Sequence, residues 1–227
     1  MKKVIFGIFA HPDDEAFGCS PTLIKEVADG NEVHLITLTA GENGCNPDSH
    51  DNLGDIRLVE WRRGGEIIGA KSMHYLGYED GTLNNLALAS AASQIRMIIE
   101  PIILENTSSI EFMSFDFNGI SGHIDHIVAS RAAALAFYQL KDVYPNRLTK
   151  LRLRCVPRKF LPEHNIDWLY MEAGREDKEI DETVDAQKYH SAIIEVIRAH
   201  HSQRGDGEAH IARFGKDIGL NYFMIIE

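Results

Sequence analysis

VIFGIFA at residues 4–10 is a continuous apolar run, and the five residues after it are His11-Pro12-Asp13-Asp14-Glu15. An apolar run of this length, stopped abruptly by polar residues, is the pattern of a central strand buried on both faces. Residues 15–29 then read as a helix, with Pro12 near its start and Gly30 just past its end. A buried strand that turns straight into a helix opens a βαβ unit.

Working outward, the same alternation continues. Residues 32–39 (EVHLITLT) predict a second strand and residues 53–69 a helix. Residues 73–76 predict a third strand, and 86–104 a long helix that Pro101 should bend or end. A fourth strand follows at 110–115, then a helix over about 123–141. Further on come strand-like runs at 151–156 and 168–171 and a terminal helix from about 184 to 202. Between the second strand and its helix, residues 41–52 form a polar loop long enough to be functional. This alternation predicts an α/β fold, a Rossmann-like, doubly wound, mainly parallel sheet with a C-terminal extension packed on it. It reads as a single domain over residues 1–227, with the core over about 1–140 and the extension over about 141–227.

In an order 3-2-1-4-5, strands one and four flank the switch point where ligands bind in open α/β sheets. The first strand delivers His11-Pro12-Asp13-Asp14-Glu15 to that point, and the fourth delivers His123-Ile124-Asp125-His126. Two imidazoles and a carboxylate with an open position make one known type of catalytic zinc site. His11, Asp14 and His126 are therefore the expected ligands of one Zn2+ per chain, though Fe2+ can replace Zn2+ in similar sites. Zinc acidifies a bound water and polarises a carbonyl, which suits amide hydrolysis. Asp13 is then a free carboxylate able to take the proton of the attacking water. His123 is expected to stabilise the oxyanion or protonate the leaving amine, and Asp125 to hold the His123 imidazole in the required tautomer. Taken singly, Asp13, Asp14 and Glu15 read as acidic residues favoured by a helix dipole, and His126 as a core histidine. Their joint arrival at one switch point favours chemistry.

Composition narrows the partners. A net charge of −11 argues against a nucleic-acid backbone or an anionic membrane surface. No run approaches the roughly 18 apolar residues of a membrane helix. The opening MKKVIFGIFA imitates a secretory signal, but its apolar stretch ends at residue 10 without an A-x-A-like cleavage site. Cys19, Cys45 and Cys155 are odd in number and form no CxxC, which fits a reducing, cytoplasmic compartment. Nothing in the sequence fixes the oligomeric state, and a homo-oligomer stays open.

With these motifs in view, the chain resembles the PIG-L or LmbE-like family of zinc-dependent N-acetylglucosaminyl deacetylases. AHPDDE at residues 10–15 matches that family's first motif, and GISGHIDH at 119–126 is similar to its second. The resemblance implies zinc held by His11, Asp14 and His126, Asp13 as base, and His123 as charge stabiliser or acid. Arg57-Leu58-Val59-Glu60 looks like the family's RxxE helix and Tyr78-Glu79-Asp80-Gly81 like its aspartate region, which implies substrate contact by Arg57 and Asp80. On the residues alone, Arg57 reads as a solvated helix arginine and Asp80-Gly81 as a turn. Ala199-His200-His201-Ser202-Gln203 is similar to the family's AHxSQ, although His200 and His201 alone read as helix-end caps. Ser121 stands where some members carry a tyrosine that assists catalysis, and Ile124 replaces a proline.

The expected activity is deacetylation of the 2-acetamido group of a GlcNAc-containing small molecule, a GlcNAc conjugate or chito-oligosaccharide. Two alternatives remain at this point: a zinc amidohydrolase acting on a non-sugar N-acyl group, and a non-catalytic sugar-binding protein with a residual metal site.

Overall fold

The structure is a computed structural model that describes residues 2–161 and 174–227. Seven strands form one sheet: β1 (Lys3–Phe9), β2 (Glu32–Thr39), β3 (Ser72–Tyr78), β4 (Ser109–Phe115), β5 (Leu148–Cys155), β6 (Glu182–Asp185) and β7 (Leu220–Ile226). Their order is β3-β2-β1-β4-β5-β7-β6. Strands β1 to β5 pair in parallel, and β7 is antiparallel to both β5 and β6. The predicted order 3-2-1-4-5 is present, and the extension lengthens the same sheet by an antiparallel edge.

The helices are α1 (Ser20–Ala28), α2 (Leu53–Ile68), α3 (Asn85–Glu105), the single turn α4 (Gly119–Gly122), α5 (Ile124–Val143), α6 (His190–Ala199) and α7 (Arg204–Phe214). A π-helical turn over Glu15–Cys19 leads into α1. Every β1 residue from Val4 to Phe9 is buried because helices cover both faces of the sheet. Val4, Phe6 and Ile8 pack with Ile95 and Ile99 of α3 and Ala132 and Phe137 of α5. Ile5 and Phe9 pack on the other side with Leu23 of α1, Trp61 of α2 and Val196 of α6. Each of the Val, Ile, Leu and Phe side chains contributes about 1.5–3 kcal/mol on burial.

Three expectations differ from what is found. Pro101 does not end α3, which runs on to Glu105. Ile95, Ile99 and Ile103, one helical face on either side of the proline, are all buried, and that packing holds the helix together across it. The terminal helix does not begin at 184: Val184 lies in β6, opposite Asn221 of β7, and α6 starts only at His190. The alternating burial of Glu182–Asp185 is the strand signal there. β7 had no counterpart in the sequence reading, and the strand-like run at 168–171 lies outside the described residues. Among the described residues, α3 alone is long and apolar enough to cross a membrane by length and composition. Its buried face packs on the core.

Candidate active site

β1 and β4 are neighbours, in register from Lys3↔Ser109 to Gly7↔Met113, so their carboxyl ends open side by side. His11, Asp13 and Asp14 occupy the turn after β1, while Gly119, His123 and His126 follow β4. The turn is tight enough to force Asp13 to φ +100°, a left-handed conformation that costs a non-glycine residue about 1–3 kcal/mol. It is held from below by Glu15, whose Oε2 accepts from the Asp13 amide at 3.2 Å and whose Oε1 meets His200 Nε2 at 2.8 Å. Glu15 and His200 are both fully buried. Burial works against charge on His200, but Glu15 and then Asp13 outweigh it and raise its pKa. Gly64 of α2 lets this pair approach: a Cβ there would stand 3.2 Å from His200 Nε2 and 3.3 Å from Glu15 Oε1.

The expected ligands converge. His11 Nδ1 lies 3.1 Å from His126 Nε2, Asp14 Oδ1 lies 3.2 Å from His126 Nε2, and Asp14 Oδ2 lies 3.7 Å from His11 Nδ1. A tetrahedral ion with ligands at about 2.0–2.2 Å sets neighbouring ligands roughly 3.3–3.6 Å apart. The partners on the far sides fix the tautomers. His126 Nδ1 donates to the Gly119 carbonyl at 3.1 Å, and His11 Nε2 donates to Asp80 Oδ1 at 3.0 Å and Asp125 Oδ2 at 3.4 Å. With those protons assigned, His11 Nδ1 and His126 Nε2 aim two lone pairs at each other. Such a pair demands a positive charge between them.

The electrostatics express the same demand. Burial opposes a charge on His11, yet Asp125, Asp80 and Asp14 outweigh it and push its pKa up to about 10. Burial would raise Asp14, but His126, His11 and a backbone N–H drive it far below the usual carboxylate range. The residues therefore fit a divalent cation. His11, Asp80 and Asp125 also gather within 4.8 Å. Their oxygens are taken, however: Asp125 accepts from the Gly81 amide at 2.7 Å and the Leu83 amide at 3.2 Å, and Asp80 from the Asn43 amide at 3.0 Å.

Asp13 adjoins this group. Arg57 Nη2 donates to Asp13 Oδ2 at 2.8 Å and to the Pro12 carbonyl at 2.6 Å, and its Nη1 donates to the Gly41 carbonyl at 2.7 Å. Burial nevertheless pushes the Asp13 pKa up to about 6, with Arg57 opposing and Asp14 assisting. Asp13 Oδ1 has no hydrogen-bond donor among the described residues. His123 caps α5, and its Nδ1 accepts from the Asp125 amide at 3.2 Å, so a neutral ring carries its proton on Nε2. Burial, then His126 and His11, lower its pKa.

The contacts refine three expectations. The Asp125 carboxylate orients His11, with two backbone amides completing its shell, whereas the contact to His123 comes from the Asp125 amide. Arg57 is 4% exposed rather than solvated, and both it and Asp80 direct their charges at Asp13 and His11, although both also line the cleft. His200 stands at the C-cap of α6, as its helix-end position suggested, and its ring is in addition an interior ion-pair partner of Glu15. The AHxSQ likeness was the signal for it, and the neighbouring residues act with it. Ser202 donates to Glu60 through its amide at 2.8 Å and Oγ at 2.6 Å, and Gln203 donates to the Cys45 carbonyl at 2.8 Å.

The cleft above these groups holds about 530 Å3. Its walls are Asn43, Gly44 and Cys45 of the polar loop, Ser121, and Asp206, His210 and Arg213 of α7. The α7 wall was not anticipated from sequence. A sequence profile of PIG-L, the GlcNAc-PI de-N-acetylases, matches residues 6–137. The chain belongs to the PIG-L family. Its similarity to named members extends past that span. A 1D-myo-inositol 2-acetamido-2-deoxy-alpha-D-glucopyranoside deacetylase of Mycolicibacterium vanbaalenii is 27% identical over 227 residues, 86% of this chain and 79% of the relative. A protein of the same name from Salinispora arenicola is 27% identical, over 96% of this chain and 83% of its own. Among solved structures, N,N'-diacetylchitobiose deacetylase of Pyrococcus horikoshii superposes with a TM-score of 0.64 at 20% identity, covering 99% and 84% of the two chains. The 4-carboxy-2-hydroxymuconate hydratase of Pseudomonas putida superposes with a TM-score of 0.68 at 16% identity, covering 100% and 97%. A fold shared by PIG-L proteins and a hydratase does not name the reaction; the site must.

Proposed function

We propose that this PIG-L protein is a metal-dependent N-deacetylase that hydrolyses the 2-acetamido group of a GlcNAc-containing small molecule. The observation that carries the reading is the convergence of His11 Nδ1, His126 Nε2 and the Asp14 carboxylate on one point, with the buried carboxylate of Asp13 adjoining it. His11, Asp14 and His126 would hold one divalent ion, Zn2+ by the likeness to the family. Such an ion, when bound, acidifies water and polarises a carbonyl.

The chain's own side chains do the rest. Asp13 takes a proton from the attacking water and later gives it to the leaving amine. A pKa near 6 suits that exchange, since the carboxylate is ionised at neutral pH yet basic enough to accept. Arg57 fixes Asp13 through Oδ2, leaving Oδ1 for the water. His123 Nε2–H donates to the oxyanion that forms from the acetamide carbonyl. Asp125 and Asp80 keep His11 in the tautomer that presents Nδ1. The cleft volume of about 530 Å3 lies within the roughly 300–1,000 Å3 usual for small-molecule sites.

The deciding experiment measures acetate released by zinc-loaded protein from GlcNAc-inositol, di-N-acetylchitobiose and simple glycosides of GlcNAc, alongside non-sugar N-acetyl amides. Stoichiometric acetate and free amine from a GlcNAc compound are expected. Turnover of the non-sugar amides alone would move the assignment to an amidohydrolase of another substrate class, and no turnover with a full complement of metal would sink the catalytic reading.

A further inference from the structure

A second polar cluster lies at the amino ends of β2 and β3, the far end of the sheet from the metal-ligand group. The Lys71 amide donates to the Val33 carbonyl at 2.7 Å, and in the register that follows His34 stands opposite Ser72. Side chains two apart on a strand share a face, so Glu32 and His34 of β2 lie beside Ser72 and His74 of β3. Burial would raise the pKa of Glu32, but Lys71 and His34 outweigh it and keep the carboxylate ionised. His34 Nε2 lies 2.8 Å from Glu32 Oε1, and an ionised carboxylate can only accept, so that nitrogen carries the ring proton. His34 Nδ1 is then an acceptor, and Ser72 Oγ donates to it at 2.6 Å. His74 Nε2 donates in turn to Ser72 Oγ at 2.7 Å. Lys71 Nζ holds the second Glu32 oxygen at 2.8 Å, and the Phe6 ring stacks on His34 at 4.9 Å. Burial lowers the pKa of both imidazoles, with Glu32 opposing at His34, so both rings are neutral at neutral pH. His34, Ser72 and His74 all line a cavity of about 710 Å3, whose wall includes Ile98 and Ile102 of α3. A hydroxyl bonded to a neutral imidazole that is itself bonded to a carboxylate is the arrangement of an activated nucleophile.

We propose that Ser72, His34 and Glu32 form a second active centre, with nucleophile, base and orienting carboxylate in that order, which hydrolyses small carboxylic esters. It is independent of the deacetylase reading. Ser72 Oγ forms a bond to the ester carbonyl carbon while its proton passes to His34 Nδ1. The ester C–O bond then breaks, and the alcohol leaves with that proton. Water adds to the acyl-serine and gives a proton to His34 Nδ1; the carboxylic acid departs as Ser72 Oγ takes that proton back. Glu32 stabilises the imidazolium that forms in each half. His74 Nε2–H, released once Oγ is bonded to the acyl carbon, is the donor at hand for the oxyanion. One side-chain donor is modest support, which suits esters, with their good leaving groups, better than amides. The cavity volume lies within the roughly 300–1,000 Å3 of small-molecule sites, and its isoleucines suit a short acyl chain.

The test uses the zinc-loaded full chain with p-nitrophenyl butyrate and, separately, with a fluorophosphonate that phosphonylates activated serines. A burst of about one p-nitrophenolate per chain is expected from the ester, and a single phosphonyl adduct that peptide mass mapping places on Ser72. Ser72→Ala should lose both the burst and the adduct. Ser72→Cys, which keeps a nucleophile beside His34, should recover the burst. His34→Gln should slow phosphonylation of Ser72 by about two to four orders of magnitude, the usual worth of a general base. A chain that takes no adduct, or takes it on another residue, overturns the proposal. A burst that survives Ser72→Ala also overturns it, by placing ester cleavage at the metal centre. So does labelling that His34→Gln leaves unchanged, since Ser72 would then react without a base.

Discussion

Arg152 and Arg154 lie two residues apart on β5, on one face of the sheet, and both are 4% exposed. Their surroundings are opposite. Arg152 meets Glu26 at 2.5 Å, Glu182 at 3.0 Å and Glu111 at 3.2 Å, and Lys3 joins the same network through Glu26 at 3.0 Å. Arg154 has one backbone carbonyl and an unanswered Nη1. Moving along the strand toward its carboxyl end thus passes from an arginine surrounded by carboxylates to one with no carboxylate paired to it among the described residues. The rest of that end is open in a related way: two imidazole nitrogens meet at 3.1 Å over a single proton, and Asp13 has one oxygen engaged. A buried charge without a counter-charge is destabilising in the free protein, so its position toward the ligand-binding end of a doubly wound sheet is a functional signature.

The comparison breaks if the open end behaves like the closed one. Asp13→Asn should slow acetate release by about two to four orders of magnitude while metal content stays at one ion per chain. Loss of metal would make Asp13 part of the ion's shell and remove it as the base. Arg152→Met strands Glu26 and Glu111 and should cost about 3–5 kcal/mol in urea unfolding. Arg154→Met should leave the fold at least as stable as wild type, because it deletes a buried charge that already lacks a counter-charge. Equal losses for the two arginines would show that Arg154 has a structural counter-charge.

How far this contrast was legible in the sequence depends on distance along the chain. The buried first strand, the order of the first five strands and the meeting of His11, Asp14 and His126 follow from local apolar runs and one topological rule, so they were readable. Partners set by long-range packing were not. Asp125 looked like the neighbour of His123, two residues away, yet the α5 start turns its carboxylate to His11 and to the amides of Gly81 and Leu83. Glu15 and His200 are 185 residues apart, and a histidine at a helix end carries no sign of that partner. Arg152 and Arg154 look alike in LRLRC; only the elements packed against β5 separate them.

Asp125→Asn sharpens this point. It should weaken metal affinity about 10- to 100-fold, the usual effect of removing the group that orients a ligand histidine. Measured by competition with a chelating dye, an unchanged affinity would return Asp125 to His123.

The smallest effect concerns protons, and its sign follows from His11. In the metal-free fold the carboxylates of Asp125, Asp80 and Asp14 overcome burial and raise its pKa from 6.5 to about 10. That raised value contributes stability fully present below about pH 6.5 and lost as pH rises through 10. At pH 8 the metal-free site therefore holds a proton between His11 and His126, and an arriving ion must displace it. Zinc binding at pH 8 should release close to one proton per ion, falling toward none above pH 10, and affinity should rise about tenfold per pH unit between those limits. Calorimetry in buffers of different ionisation enthalpy counts the proton directly. A count of zero at pH 8 would mean that His11 is neutral before the ion arrives, and that the facing lone pairs are relieved by movement of a ring instead of by charge.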